Sequence, residues 1–88
     1  MRRTNINAVL RMVKQFLTGK IDATSFWLDF PHEVSRRYDS IYREDPEYAE
    51  MIMYYLVECG TDHYHELSED DFRELIQAQY DNVMEGVY

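Results

Sequence analysis

The residues best suited to chemistry lie close together in the second half of the chain: Cys59, Asp62, His63, His65 and Glu66. Thiolate, imidazole and carboxylate are all zinc ligands. Their spacing matches no known zinc framework. Cys59 also falls on an apolar helical stripe, where a free cysteine is usually an ordinary small core residue. The plainer reading is a solvated linker with no metal and no cofactor. A zinc-dependent switch at His63 and His65 is its alternative.

Catalysis has less support. No serine or cysteine nucleophile has a recognisable base nearby, and three scattered glycines make no phosphate-binding loop. Paired carboxylates are unavoidable among seventeen acids. A small bundle also rarely offers a pocket beyond its packed core. The chain therefore reads as a binding protein, not an enzyme.

The stronger constellation is Glu47, Glu50, Tyr54 and Glu58, which recur at i, i+3, i+7 and i+11 and so share the outer face of one helix. Tyr55 turns toward the edge of the core. A tyrosine between carboxylates suits an interface: the ring supplies contact area at low entropy cost, and the acids pair with lysine or arginine of a partner. A solvated face with one chance aromatic is the competing reading. Asp62, Glu66, Glu69, Asp70, Asp71 and Glu74 adjoin it through the linker, although Asp70 and Asp71 also suit a helix N-terminus. The expected partner-binding set is Glu47, Glu50, Tyr54, Glu58, Asp62, Glu66, Glu69 and Asp70.

Four helical segments must position these groups. The first covers residues 5–18, with Ile6, Val9, Leu10, Val13, Phe16 and Leu17 on one face and Gly19 as its left-handed stop. The second opens at Asp22 as N-cap and runs through Ala23, Phe26, Trp27, Phe30, Val34, Tyr38 and Ile41. Trp27, with Phe26 and Phe30, reads as core. Pro31 lies inside this pattern, so a kink or a split into two helices is expected there. Asp45-Pro46-Glu47 restarts the chain with a cap, a proline at the first helical position and an acid in the first turn. Tyr48, Met51, Ile52, Tyr55, Leu56 and Cys59 form its buried stripe, and Gly60 ends it. Residues 61–67 read as a polar linker. Ser68 then caps a last helix whose inner face is Phe72, Leu75, Ile76, Gln79, Tyr80, Val83 and Met84, with Gly86 as stop. Short connections favour antiparallel neighbours, which predicts a single all-α domain over residues 1–88, an antiparallel bundle of four or five helices.

Composition fits this. Apolar residues make up 45% of 88, enough for one modest core. With one cysteine there is no internal disulfide, which fits a reducing compartment. The basic start at Met1, Arg2 and Arg3 leads into residues 6–17, which Asn7, Arg11, Lys14 and Gln15 interrupt. Neither a signal-peptide core nor a membrane span forms, and a soluble, cytoplasmic protein is expected. Residues 1–44 carry 8 basic and 5 acidic side chains, net +3, whereas residues 45–88 carry 1 and 12, net −11. Such a field repels nucleic acid and anionic membranes and speeds encounter with a basic partner. Arg2, Arg3, Arg11, Lys14 and Lys20 are expected on the solvent side of the first helix, offsetting the acidic helices beside it.

The segment Phe16-Leu17-Thr18-Gly19-Lys20-Ile21-Asp22-Ala23-Thr24-Ser25-Phe26 resembles the opening of the colicin D immunity-like proteins, whose first helix ends in a Phe-Leu-x-Gly-x-Ile turn before a second helix carrying a Phe. Leu67-Ser68-Glu69-Asp70-Asp71-Phe72-Arg73-Glu74-Leu75 resembles their final helix. The resemblance covers most of the chain in length and helix order. It implies a cytoplasmic bacterial antidote that binds a cognate toxin's nuclease domain, in some cases a tRNA-cutting enzyme, and meets its basic groove with an acidic surface. No individual inhibitory residue carries over. The leading expectation is such an immunity protein, monomeric when free. The alternative is a small acidic regulatory or structural subunit that docks through its apolar and tyrosine surface, as a homodimer or on another protein.

Overall fold

A computed structural model of the chain describes residues 3–86. Helix α1 spans Thr4–Leu17 and buries Ile6, Val9, Leu10, Val13 and Phe16, the face that its spacing predicts. Gly19, at φ +85°, closes it: Gly19 N donates to Phe16 O (3.0 Å) and Lys20 N to Gln15 O (2.8 Å), the two bonds of a Schellman cap. The start of α1 has no local side-chain cap. Glu44 supplies one from the far end of α2, accepting from Asn5 N and Ile6 N, both at 2.9 Å. That contact sets the start of α1 beside the end of α2, so the two helices run antiparallel.

Helix α2 spans Ala23–Glu44, with Asp22 accepting from Ser25 N at 2.7 Å as its cap. Pro31 does not split it. An interior proline costs about 3 kcal/mol. Phe26, Phe30, Val34 and Ile41 lie on both sides of it and are fully buried, and each such side chain contributes roughly 1.5–3 kcal/mol by leaving water. Packing along one continuous rod outweighs the missing hydrogen bond. There is no fifth α-helix from this segment.

The third segment departs further from expectation. Helix α3 is only Pro46–Met51, started by Asp45, which accepts from Glu47 N (3.1 Å) and Tyr48 N (3.2 Å). It continues as a π helix over Ile52–Glu58, closed by Cys59 N donating to Tyr54 O at 2.9 Å, five residues back. The wider turn shifts the stripe. Ala49 and Val57 are buried with Met51, Ile52 and Leu56, while Tyr48, Tyr55 and Cys59 are half-buried at its edge. Gly60 does end the helix, but not through a left-handed conformation: a Cβ there would stand 2.3 Å from Leu56 O and 3.0 Å from Ile76 Cδ1.

Residues expected as a linker form a 3-10 helix, Thr61–Glu66, followed by α4, Glu69–Glu85. Ser68 caps α4 by accepting from Asp71 N (3.2 Å), and Gly86 ends it at φ +72°. Phe72, Ile76 and Val83 are buried; Met84, expected inside, is 50% exposed. Arg73, early in α4, donates to Phe16 O at the end of α1, so α4 is antiparallel to α1. At the centre, the ring of Phe16 stacks on that of Phe26 (4.5 Å), Phe26 on Phe30 (4.9 Å), and Phe72 tilts against Phe16 (5.5 Å). The result is an all-α bundle with no strand among the described residues. Its radius of gyration is 12.0 Å, the ~12 Å expected of a compact chain this long. Among the described residues no helix is long and apolar enough to cross a membrane.

Candidate functional site

The 3-10 helix is tied to the bundle by Tyr64. Its ring lies flat on Trp27 (4.7 Å between centroids, 8° between planes) and edge-on to Phe72 (5.2 Å), and its hydroxyl shares a 2.9 Å hydrogen bond with Thr24 Oγ1. His65 meets the Trp27 ring edge-on at 4.6 Å. Trp27 is thus outside the core, contrary to its helical spacing: it is half-buried and covers the 3-10 segment, while Phe26 and Phe30 fill the interior.

Two clefts open on either side of this segment. One, of about 320 Å³, lies toward the start of α2, between Tyr64, His65 and Leu67 on one wall and Asp22, Thr24 and Glu69 on the other. The second, of about 650 Å³, lies toward α4. Cys59, Leu67 and Leu75 give it an apolar floor, and His63, Glu66, Asp71 and Glu74 edge it. Leu67, 37% exposed, belongs to both. His63 Nδ1 stands 3.2 Å from the Glu66 carboxylate; His63 edges the larger cleft and His65 lines the smaller. Among the described residues no group of three or more His, Cys, Asp or Glu is placed to hold a metal ion.

All eight residues expected to bind a partner are exposed, spread along the third segment and around the 3-10 helix. Glu47 and Glu50 lie at the start of the third segment, near the end of α2. Burial first, and then the charge of Glu50, push the Tyr38 phenol above its usual range. Eleven residues of helix separate Glu47 from Glu58, at most about 16.5 Å at the α-helical rise. Tyr54 is 44% exposed and edge-on to Tyr55 (5.0 Å). A hydrogen bond to the Cys59 side chain, above all, holds its phenol above the usual value, with Glu58 contributing. That pairing at i, i+5 follows from the π turn. Glu58 and Asp62 lie at the exposed bend that follows. Glu66 joins Asp71 and Glu74 at the larger cleft, and Glu69 reaches the smaller one. Asp70 faces a third depression, beside Leu17 and Arg73.

Asp71, Glu74 and Leu75, spaced i, i+3 and i+4 on α4, were the legible signal for the larger cleft. The stacking of Trp27 on Tyr64, across thirty-seven residues, had none.

The cations are largely committed elsewhere. Arg36 and Arg37 bind Glu33 at 2.8 and 3.3 Å, and these bonds hold its carboxyl down at about 2. Arg3 pairs with Asp45 at 2.9 Å and lies over the Tyr48 ring. Arg11 and Lys14 are exposed and edge an α1–α4 groove with Tyr80 and Met84, on the solvent side of α1; Arg2 lies outside the described residues. No protein-family model, curated protein or solved structure matches this chain.

Proposed function

We propose that the protein is a bacterial immunity protein, a cytoplasmic stoichiometric inhibitor that meets the basic nucleic-acid-binding cleft of a toxin nuclease with carboxylates. One observation carries this reading. Eleven of the twelve acids of residues 45–88 are exposed, all but Asp45, and the lone cation among them, Arg73, is half-buried against Phe16 and reaches only Glu69. The negative field of that half is therefore largely uncompensated by its own cations, and it complements a phosphate-binding surface. Its short resemblance to the colicin D immunity-like proteins supports the same function.

The test is growth protection. The chain is co-expressed with the nuclease domain of a toxin encoded beside its gene. Full protection is expected, and the purified chain should sediment as a monomer that forms a one-to-one complex with that domain. Absence of protection, or a stable homodimer burying Tyr54, would favour the alternative of a regulatory or structural subunit.

A further inference from the structure

We infer that the docking surface is the 3-10 ridge, Thr61–Glu66, with its two flanking clefts, and that it takes a basic segment of a protein partner, one cationic side chain in each cleft. This rests on the reading of the acidic half as a protein-docking face and assigns the place on it. The outer face of α3 and the π helix becomes a peripheral source of field.

Two features single out the ridge, since depressions of similar size occur elsewhere. Its clefts measure about 320 and 650 Å³, within the ~300–1,000 Å³ typical of binding pockets. The larger has the chemistry of a lysine or arginine receptor. An aliphatic stem can lie on Leu67 and Leu75 while its charged head reaches Glu66, Asp71 and Glu74. The smaller sets the Tyr64 and His65 rings beside Asp22 and Glu69, an aromatic wall with carboxylates that suits a guanidinium.

The ridge is also held in place beforehand. A six-residue 3-10 helix has few backbone bonds of its own, but Tyr64 is fixed on three sides by Trp27, Phe72 and Thr24. A partner then has little ordering entropy to overcome.

The experiment needs no toxin, so its failure is distinct from failure of the immunity reading. Blocked hexa-arginine peptide is titrated at low salt into the isotope-labelled full chain. Amide shifts and the emission of Trp27, the only tryptophan, are followed. Saturable shifts centred on residues 61–75 with a change in Trp27 emission are expected. E66K/E74K should weaken binding at least tenfold, whereas E47K/E50K, of equal charge change, should weaken it no more than about threefold. E66Q/E74Q, confirmed folded by circular dichroism, should also weaken binding more than E47Q/E50Q. Shifts spread evenly over the acidic surface, or equal losses from the two pairs of reversals, would overturn the assignment. Growth protection that survives E66K/E74K but not E47K/E50K would leave the immunity reading standing and move the interface to α3.

Discussion

Arg73 shows how a residue's neighbours decide its role. It is the single cation among the twelve acids of residues 45–88, and an ion pair on the acidic face would be the simplest use for it. It makes one at 3.7 Å with Glu69, but its guanidinium also lies 4.5 Å from the Phe16 ring centroid and bonds the Phe16 carbonyl. It gives the Phe16 carbonyl at the end of α1 a second donor beside the Gly19 amide, while its side chain stays 31% exposed. Arg73→Met keeps the stem but removes the donor. Urea unfolding should show a loss of roughly 2 kcal/mol, the worth of a charged hydrogen bond plus a partly buried cation–π contact. Arg73→Lys should recover only part of it, because a lysine ammonium cannot lie flat on the ring as a guanidinium does. A Met variant as stable as wild type would make Arg73 a surface residue.

At the scale of elements, the bundle keeps two irregular helices because the core demands them. In α2 the proline penalty is accepted, since Phe26 and Phe30 before Pro31, and Val34 and Ile41 after it, pack on one rod. Pro31→Ala restores the amide donor and should raise stability by about 1–3 kcal/mol, read as a higher urea midpoint with unchanged slope. A lower midpoint would show that the half-buried ring itself packs usefully. In the third segment the π turns bring Val57 inward and let Gly60 close on Leu56 and Ile76. The same turns set Tyr54 against Cys59 at the edge of the larger cleft.

For the whole molecule, charge governs the response to acid. Glu33 is held at about 2 by Arg36 and Arg37. Partial burial acts to raise the Glu44 pKa, but the amides of Ile6 and Asn5, the Asn5 side chain and Arg3 together take it below the usual value. Both folded-state values lie under those of the unfolded chain. Their contribution is therefore fully present above pH ~4.5 and is lost as pH falls from there toward 2. Relief of like-charge repulsion across the acidic half acts in the opposite direction. Melting temperatures measured from pH 6 to 2 should fall most steeply below 4.5, and Glu44→Gln, less stable at neutral pH, should show a shallower fall. An equal slope in the variant would remove Glu44 from the acid response.

What the sequence determined by itself was local or additive. Helical periodicity placed α1, α2 and α4. The capping chemistry of Asp22, Asp45, Ser68, Gly19 and Gly86 marked their ends, because a cap is made within a few residues. The net −11 of residues 45–88 needed no coordinates, since charge is a sum. Tertiary structure decided whatever depends on groups distant in the chain. Pro31 could be tolerated only once the energy of packing on both sides of it was counted. The cap of α1 comes from Glu44, thirty-eight residues after Ile6, and the Trp27–Tyr64 stack turns a presumed linker into a fixed ridge. The change to five-residue hydrogen bonding at Ile52 has no composition signal, and it redistributed the third segment's stripe. Side chains read as one face on an ideal helix met different neighbours, because the helix was not ideal.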